Sequence, residues 1–123
     1  MGLLSDKKKW ILLVDDDPTM LTVLEEALSH PALSITTAAD AQQAFIQART
    51  LNPILIISDM QMPVGLGTVM LRQLRADPLI PRVPVLFITG MDLEKARKLI
   101  PANDPSIGLM QKPLDLPTLR EYV

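Results

Sequence analysis

The chain has 123 residues, a formal net charge of −2, 48% hydrophobic and 21% charged side chains, and no cysteine. A chain of this length forms one domain and buries about two-thirds of the surface that it exposes when unfolded. The small net charge gives no case for binding nucleic acid or an anionic membrane, and the lack of cysteine excludes disulfides and thiolate metal sites. No apolar run approaches the roughly 20 residues that span a bilayer, and the N-terminus lacks the apolar core of a signal peptide. We expect one cytoplasmic domain over residues 1–123, with 1–9 as a lead-in.

Five short apolar runs predict β-strands, because they are too short for helices and turn residues flank them. The predicted strands cover residues 10–14, 33–37, 54–59, 85–88 and 107–110. The run at 54–59, which reads ILIISD, is the clearest. Four consecutive apolar residues followed by Ser58 and Asp59 predict a fully buried strand with an acid at its exit.

Each predicted strand is followed by a segment whose apolar residues have helical spacing. Helices are predicted from 18 to about 30, over 41–50, from the glycines at 65 and 67 to about 76, over 91–100, and from a cap at 115 to the end. Asp17 before Pro18, and Asp40 three residues before Gln43, are typical N-caps, whereas the helix at 91–100 is poorly capped. Five strand–helix units in alternation predict an α/β doubly wound fold: a parallel sheet with helices on both faces and right-handed crossovers.

Polar side chains stand at the ends of four predicted strands. Asp15 and Asp16 follow the first strand and Asp59 ends the third, while Thr89 follows the fourth and Lys112 comes just after the fifth. The carboxyl ends of parallel strands meet at one edge of the sheet, where such folds bind ligands. We therefore expect three acids, a hydroxyl and an amine to converge there.

The chemistry of this set indicates phosphoryl transfer. Clustered carboxylates repel one another unless a cation joins them, and oxygen ligands without His or Cys suit Mg²⁺. Asp59 could attack a phosphoryl group and form an aspartyl phosphate, with Mg²⁺ and Lys112 neutralising the charge of the transferring group. A hydrogen bond from Thr89 to the new phosphate would pull its loop inward and convert a local charge change into a surface change.

The chain resembles the receiver domains of two-component response regulators, which have the CheY-like, flavodoxin-like (βα)5 fold. The resemblance covers the chain from about residue 10 to the end. Its motifs are VDDD at 14–17, SDMQMP at 58–63 with Gly67 following, ITG at 88–90, and KP at 112–113.

The resemblance implies a role for each residue of the set. Asp59 would be the phosphoacceptor, Lys112 the phosphate-binding cation and Thr89 the switch hydroxyl. Asp15 and Asp16 would hold Mg²⁺ together with Asp59.

The resemblance also implies the surroundings of the phosphoryl group. The backbone carbonyl of Gln61 would be a further metal ligand, and Met60, Gly90 and Met91 would lie around the phosphate. The Lys112–Pro113 peptide is expected to be cis.

By the same resemblance, the phosphoryl group would come from a phosphohistidine of a sensor histidine kinase or phosphotransfer protein. The domain would be a switch that catalyses only its own phosphorylation and dephosphorylation, read by a downstream protein or a linked output domain. Dimerisation is left open. The chain departs from most receivers in several places. Leu109 stands where they have Tyr or Phe, and Gly90 stands where they usually have Ala. The segment 101–106 looks irregular, and the last helix, about nine residues long, looks cut short.

Two other functions compete with this interpretation. The run Asp15-Asp16-Asp17-Pro18-Thr19 fits the DxDxT nucleophile motif of haloacid-dehalogenase phosphatases. That family needs a further acidic pair beyond the lysine and would leave Asp59 without a role, and Asp17 is better explained as a helix cap. A non-phosphorylated pseudo-receiver usually lacks an acid or the lysine, and this chain has the full set.

His30, the single histidine, is predicted at the C-terminus of the first helix, where an imidazolium would suit the helix dipole. We therefore assign it no catalytic role.

Overall fold

The computed structural model describes residues 9–60, 66–101 and 104–123. Within them, five strands and five helices alternate along the chain. The strands are β1 (Lys9–Val14), β2 (Leu33–Ala38), β3 (Leu55–Asp59), β4 (Val85–Thr89) and β5 (Ile107–Gln111). The helices are α1 (Pro18–Ala27), α2 (Ala41–Leu51), α3 (Leu66–Ala76), α4 (Leu93–Arg97) and α5 (Leu116–Tyr122). All strand pairs are parallel and the order is β2-β1-β3-β4-β5, which confirms the predicted doubly wound fold.

The core forms two apolar layers, one on each face of the sheet. Helices α2, α3 and α4 contribute buried side chains to one layer, and α1 and α5 contribute to the other. Successive side chains of a strand point to opposite faces, so Ile56 packs in the first layer while Leu55 and Ile57 pack in the second. Burial on both faces explains why β3 is a continuous apolar run rather than an alternating one.

The predicted caps of the first two helices are present. The carboxylate of Asp17 accepts a hydrogen bond from the backbone N–H of Thr19 at 2.9 Å, and that of Asp40 accepts one from Gln43 at 2.8 Å. The Gln43 side chain in turn accepts from the backbone N–H of Ala39 at 3.0 Å. These bonds satisfy N–H groups that have no partner within the helix.

Helix α4 is shorter than the predicted helix at 91–100. Its N-cap is Asp92, whose carboxylate accepts from the backbone N–H of Glu94, whereas the segment was predicted to be poorly capped. Beyond Arg97 the backbone bonds shift to i→i−3 spacing, as in the bond from Leu99 N–H to the carbonyl of Ala96. The segment to residue 100 therefore continues as tight turns rather than as α-helix.

The placement of His30 at the end of α1 was wrong. The helix ends at Ala27 with Leu28 as its C-cap, and His30 lies in the turn that leads to β2. There its Nδ1 accepts a hydrogen bond from the backbone N–H of Ala32 at 3.0 Å. Pro31 disfavours the helical conformation for the residue before it, so the helix cannot extend to His30.

The last helix, α5, has seven residues, close to the short helix expected. Asp115 occupies its N-cap position, but its carboxylate accepts from the Thr118 hydroxyl rather than from a backbone N–H. Among the residues that the structure describes, no helix has both the length and the apolar character needed to cross a membrane.

Candidate functional site

The carboxyl edge of the sheet brings together the acids predicted there. Asp15, Asp16 and Asp59 each offer a carboxylate oxygen, and these oxygens lie within 4.8 Å of one another. β1 and β3 are neighbours in the sheet, with Val14 in register with Ser58, so the residues that follow them in sequence leave the sheet side by side. The topology of the sheet, rather than closeness in sequence, assembles the cluster.

The three acids differ in their access to water. Asp15 is 3% exposed and Asp59 is 8% exposed, whereas Asp16 is exposed. Burial raises the pKa of Asp15 from 3.8 to about 6, and the neighbouring charge of Asp59 adds to the increase. Asp15 also accepts a hydrogen bond from the backbone N–H of Asp17 at 2.9 Å, and this bond acts in the opposite direction by lowering the pKa of Asp15. Two neighbouring buried carboxylates offer oxygen ligands to a hard divalent cation, and such a cation would stabilise their negative charges.

Lys112 is the cation of the site. Its Nζ lies 3.2 Å from Oδ2 of Asp59, and its side chain is about one-third exposed. Its backbone N–H donates to the carbonyl of Thr89 at 2.7 Å, which fixes the start of the loop after β5 to the end of β4. The Lys112–Pro113 peptide is cis, as the resemblance implies.

Thr89 ends β4 and is fully buried. Its hydroxyl oxygen accepts a hydrogen bond from the backbone N–H of Met91 at 3.0 Å. The hydroxyl is therefore tied to the first residues of the loop that leads to α4. Any movement of Thr89 would be transmitted directly to this loop.

The residues expected around the phosphate differ in their exposure. Met60 is buried and packs in the layer under α2–α4, Met91 is half-buried against the same layer, and Gly90 is exposed. The backbone N–H of Met60 donates to the carbonyl of Ile88 at 2.9 Å, which extends the β3–β4 pairing beyond Asp59. Gln61 lies outside the described residues.

Ser58 was not predicted to have a role, but it belongs to the framework of the site. It is completely buried, and its hydroxyl donates to the backbone carbonyl of Asp59 at 3.1 Å. The signal in the sequence was a polar residue inside an apolar run, directly before the acid. Asp17, by contrast, is exposed and acts as the predicted helix cap.

Comparison with known proteins gives a consistent result. The family model described as response regulator receiver domain matches residues 11–123. The chain is 33% identical over 87 residues to the probable transcriptional regulatory protein TcrX of Mycobacterium tuberculosis, covering 71% of this chain and 36% of that protein. It is 35% identical over 86 residues to the alkaline phosphatase synthesis transcriptional regulatory protein PhoP of Bacillus subtilis, covering 70% and 35%. The chain thus spans about a third of the length of these two relatives.

Solved structures show the same similarity over nearly the whole chain. The chemotaxis protein CheY4 of Vibrio cholerae has a TM-score of 0.82 and 25% identity, covering 94% of this chain and 95% of that one. A CheY-like receiver domain protein from Methanospirillum hungatei has a TM-score of 0.76 and 26% identity, covering 94% and 90%.

Proposed function

This chain belongs to the response regulator receiver domains of two-component systems, and from that premise we propose that it is switched by phosphorylation of Asp59. The observation that carries this assignment is the environment of the Asp59 carboxylate. It is nearly buried, it is paired with Lys112 at 3.2 Å, and it shares a cluster with Asp15 and Asp16. Of the three acids, it is the one in contact with the cation.

Asp59 acts as the nucleophile. One of its carboxylate oxygens attacks the phosphorus of a phosphohistidine, an oxygen–phosphorus bond forms, and the phosphorus–nitrogen bond breaks. The imidazole leaves with the electron pair and takes up a proton. Lys112 stabilises the negative charge on the phosphoryl oxygens, because its ammonium group already lies beside the attacking carboxylate.

Mg²⁺ is the cation that we assign to the acid cluster. The carboxylates of Asp15, Asp16 and Asp59 would hold it, with the backbone carbonyl of Gln61 as the further ligand that the family resemblance implies. When bound, Mg²⁺ supplies positive charge next to the phosphoryl oxygens. The burial of Asp15 and its raised pKa support this assignment, since a cation relieves the repulsion between two buried acids.

Thr89 converts phosphorylation into a change of surface. Its hydroxyl now accepts from the backbone N–H of Met91, and in the phosphorylated protein it donates to a phosphate oxygen. A hydroxyl can accept one hydrogen bond while it donates another, so Thr89 keeps its bond to Met91 and draws the loop between β4 and α4 toward the phosphate. Helix α4 has five residues and one buried side chain, Ala96, so little packing resists its displacement.

The donor and the reader of the switch are proposed as classes. The donor is a phosphohistidine of a sensor histidine kinase or phosphotransfer protein, and the reader is a downstream protein or a linked output domain. Two relatives support this: one is named a hybrid signal transduction histidine kinase of Dictyostelium discoideum, and another is the response regulator PleD of Caulobacter vibrioides.

The experiment is incubation with acetyl phosphate, with and without Mg²⁺, followed by intact mass measurement. The wild type is expected to gain the mass of one phosphoryl group only with Mg²⁺, and Asp59→Asn is expected to gain none. Asp17→Asn is the matched control, because it removes a neighbouring acid and keeps a side chain that can cap α1.

Each outcome has a distinct meaning. Absence of any gain in the wild type would favour a pseudo-receiver. A gain that persists in Asp59→Asn would move the nucleophile to the acids after β1 and revive the phosphatase alternative, which turnover of p-nitrophenyl phosphate would then test.

A further inference from the structure

A buried hydroxyl belongs to the residue that directly precedes the phosphoacceptor in β3. Ser58 is 0% exposed and is flanked in the sheet by Val14 of β1 and Phe87 of β4. Its hydroxyl donates to the backbone carbonyl oxygen of Asp59 at 3.1 Å. The preceding residues of β3 are all apolar, so Ser58 is the one polar side chain before the acid in this strand.

The fold alone gives no reason for a hydroxyl at this position. Burying a hydroxyl costs free energy, and an intramolecular hydrogen bond only offsets that cost. Alanine would fill nearly the same space without a polar atom. We therefore look for the role of the Ser58 hydroxyl in the group that accepts its hydrogen bond, the backbone carbonyl of Asp59.

The same carbonyl is confined from a second direction. A Cβ added to Gly67, in the first turn of α3, would lie 3.1 Å from the carbonyl oxygen of Asp59 and 3.1 Å from Cα of Met60. The Asp59–Met60 peptide is thus held between the Ser58 hydroxyl and the backbone of α3. This peptide is attached to the Cα that carries the carboxylate, so a shift of the peptide would move the carboxylate as well.

We propose that Ser58 is a positioning residue for phosphorylation. Its hydroxyl holds the Asp59–Met60 peptide so that the Asp59 carboxylate points at Lys112 and at the acids after β1, while the fold is stable without it. This inference rests on the proposed role of Asp59 as phosphoacceptor.

The test compares Ser58→Ala with Ser58→Thr and with the control Ser34→Ala, which removes a half-buried serine from β2. Two quantities are measured for each variant: the urea midpoint of unfolding and the initial rate of phosphorylation by acetyl phosphate at saturating Mg²⁺. For Ser58→Ala we expect a urea midpoint at or slightly below that of the wild type and phosphorylation about fivefold slower, the loss that corresponds to one neutral hydrogen bond. Ser58→Thr keeps the hydroxyl and is expected to restore the rate, and Ser34→Ala to behave as wild type.

The outcomes separate this inference from the proposed function. A wild type that is not phosphorylated defeats the proposed function itself. A wild type that is phosphorylated, with Ser58→Ala reacting at the same rate, overturns only the role of Ser58. Loss of folding in Ser58→Ala, or a slower reaction with no rescue by Ser58→Thr, would show that the side chain serves packing and would overturn it as well.

Discussion

Lys112 Nζ lies 3.2 Å from Oδ2 of Asp59, although 53 positions separate the two residues in the chain. The contact exists because β3 and β5 both flank β4, so that the ends of all three strands meet at one edge of the sheet. A backbone bond from Lys112 to Thr89 fixes the approach of the lysine across β4. The contact between Lys112 and Asp59 therefore depends on the position of β4, the strand that lies between β3 and β5.

Replacing Lys112 by alanine is expected to slow phosphorylation of Asp59 by about 10²-fold, as for other donors aimed at developing negative charge. The rate of mass gain with acetyl phosphate and Mg²⁺ measures the effect. Lys98→Ala, which removes an exposed lysine just after α4, is the matched control and is expected to react as wild type. A Lys112→Ala rate within twofold of wild type would show that the ammonium does not act on the phosphoryl group.

Binding of Mg²⁺ is expected to weaken below about pH 6. The pKa of Asp15 is raised to about 6 by burial, so below that value a proton competes with the cation for the carboxylate. The apparent Kd, measured by titration calorimetry, should rise by about tenfold for each pH unit in this range. An affinity that stays constant from about pH 7 down to pH 5 would contradict a Mg²⁺ site that includes Asp15.

Asp15→Asn is expected to stabilise the metal-free protein at neutral pH. The folded-state pKa of Asp15, about 6, lies above the ordinary value of 3.8, so the folded protein binds this proton more tightly than the unfolded chain does. The favourable contribution is complete below about pH 4 and is lost as the pH rises through 6. At pH 7 the charged carboxylate therefore costs stability, and asparagine should recover about 1–3 kcal/mol.

Urea unfolding without Mg²⁺ at about pH 7 and again near pH 4 tests this expectation. The gain for Asp15→Asn should shrink at the lower pH, where the wild-type carboxyl is neutral as well. Asp17→Asn, which changes an exposed acid two positions away, is the matched control. Equal stability of Asp15→Asn and wild type at both pH values would contradict the effect of burial on Asp15.

The fold and the acid cluster could be predicted from the sequence, because local sequence patterns determine both. Continuous apolar runs mark strands that are buried on both faces, and strand ends of a parallel sheet share one edge. The residues at those ends could thus be brought together before any distance was known. Asp17 and Asp40 were recognised as caps for the same reason, since a cap acts within three residues of its own position.

Contacts that depend on distant packing could not be predicted. Arg75, near the end of α3, donates to the carbonyl of Val83 at 2.8 Å and to the hydroxyl of Ser106 at 3.0 Å. Asp104 forms ion pairs with Arg75 and with Arg82. The pKa of Asp104 is lowered, and the largest cause is the hydrogen bond from the Ser106 hydroxyl. These residues stand in loops and at a helix end without periodicity, so nothing local in the sequence joins them.

Gly108→Ala is expected to displace Tyr122 with little loss of stability. A Cβ at Gly108 would lie 2.6 Å from the hydroxyl oxygen of Tyr122 and 3.2 Å from Cδ1 of Leu86. The Tyr122 ring is about half exposed and can swing outward, so the overpacking should cost no more than about 1 kcal/mol.

Proton NMR of the tyrosine ring reports the movement, because Tyr122 is the single tyrosine of the chain. Tyr122→Phe, which lacks the clashing hydroxyl, should make the added methyl group still less costly, and the double variant tests this. A large loss of stability in Gly108→Ala that persists in the double variant would place the clash at Leu86 or at the aromatic ring, whose Cζ also lies 3.2 Å from the added Cβ, rather than at the hydroxyl.

Met91 is expected to prolong the life of the phosphorylated state. Its backbone is bonded to the Thr89 hydroxyl, and its half-buried side chain packs on the apolar layer next to the site, where it offers no hydrogen bond to an attacking water. Met91→Glu should accelerate dephosphorylation by about an order of magnitude, part of what a positioned general base contributes.

Met91→Lys should also change the rate, whereas Met91→Leu keeps an apolar side chain of similar size and should leave it unchanged. The decay of the phosphorylated mass after removal of the donor gives the rate for each variant. Equal rates for Met91→Glu, Met91→Lys and wild type would show that this side chain does not control access of water to the phosphoryl group.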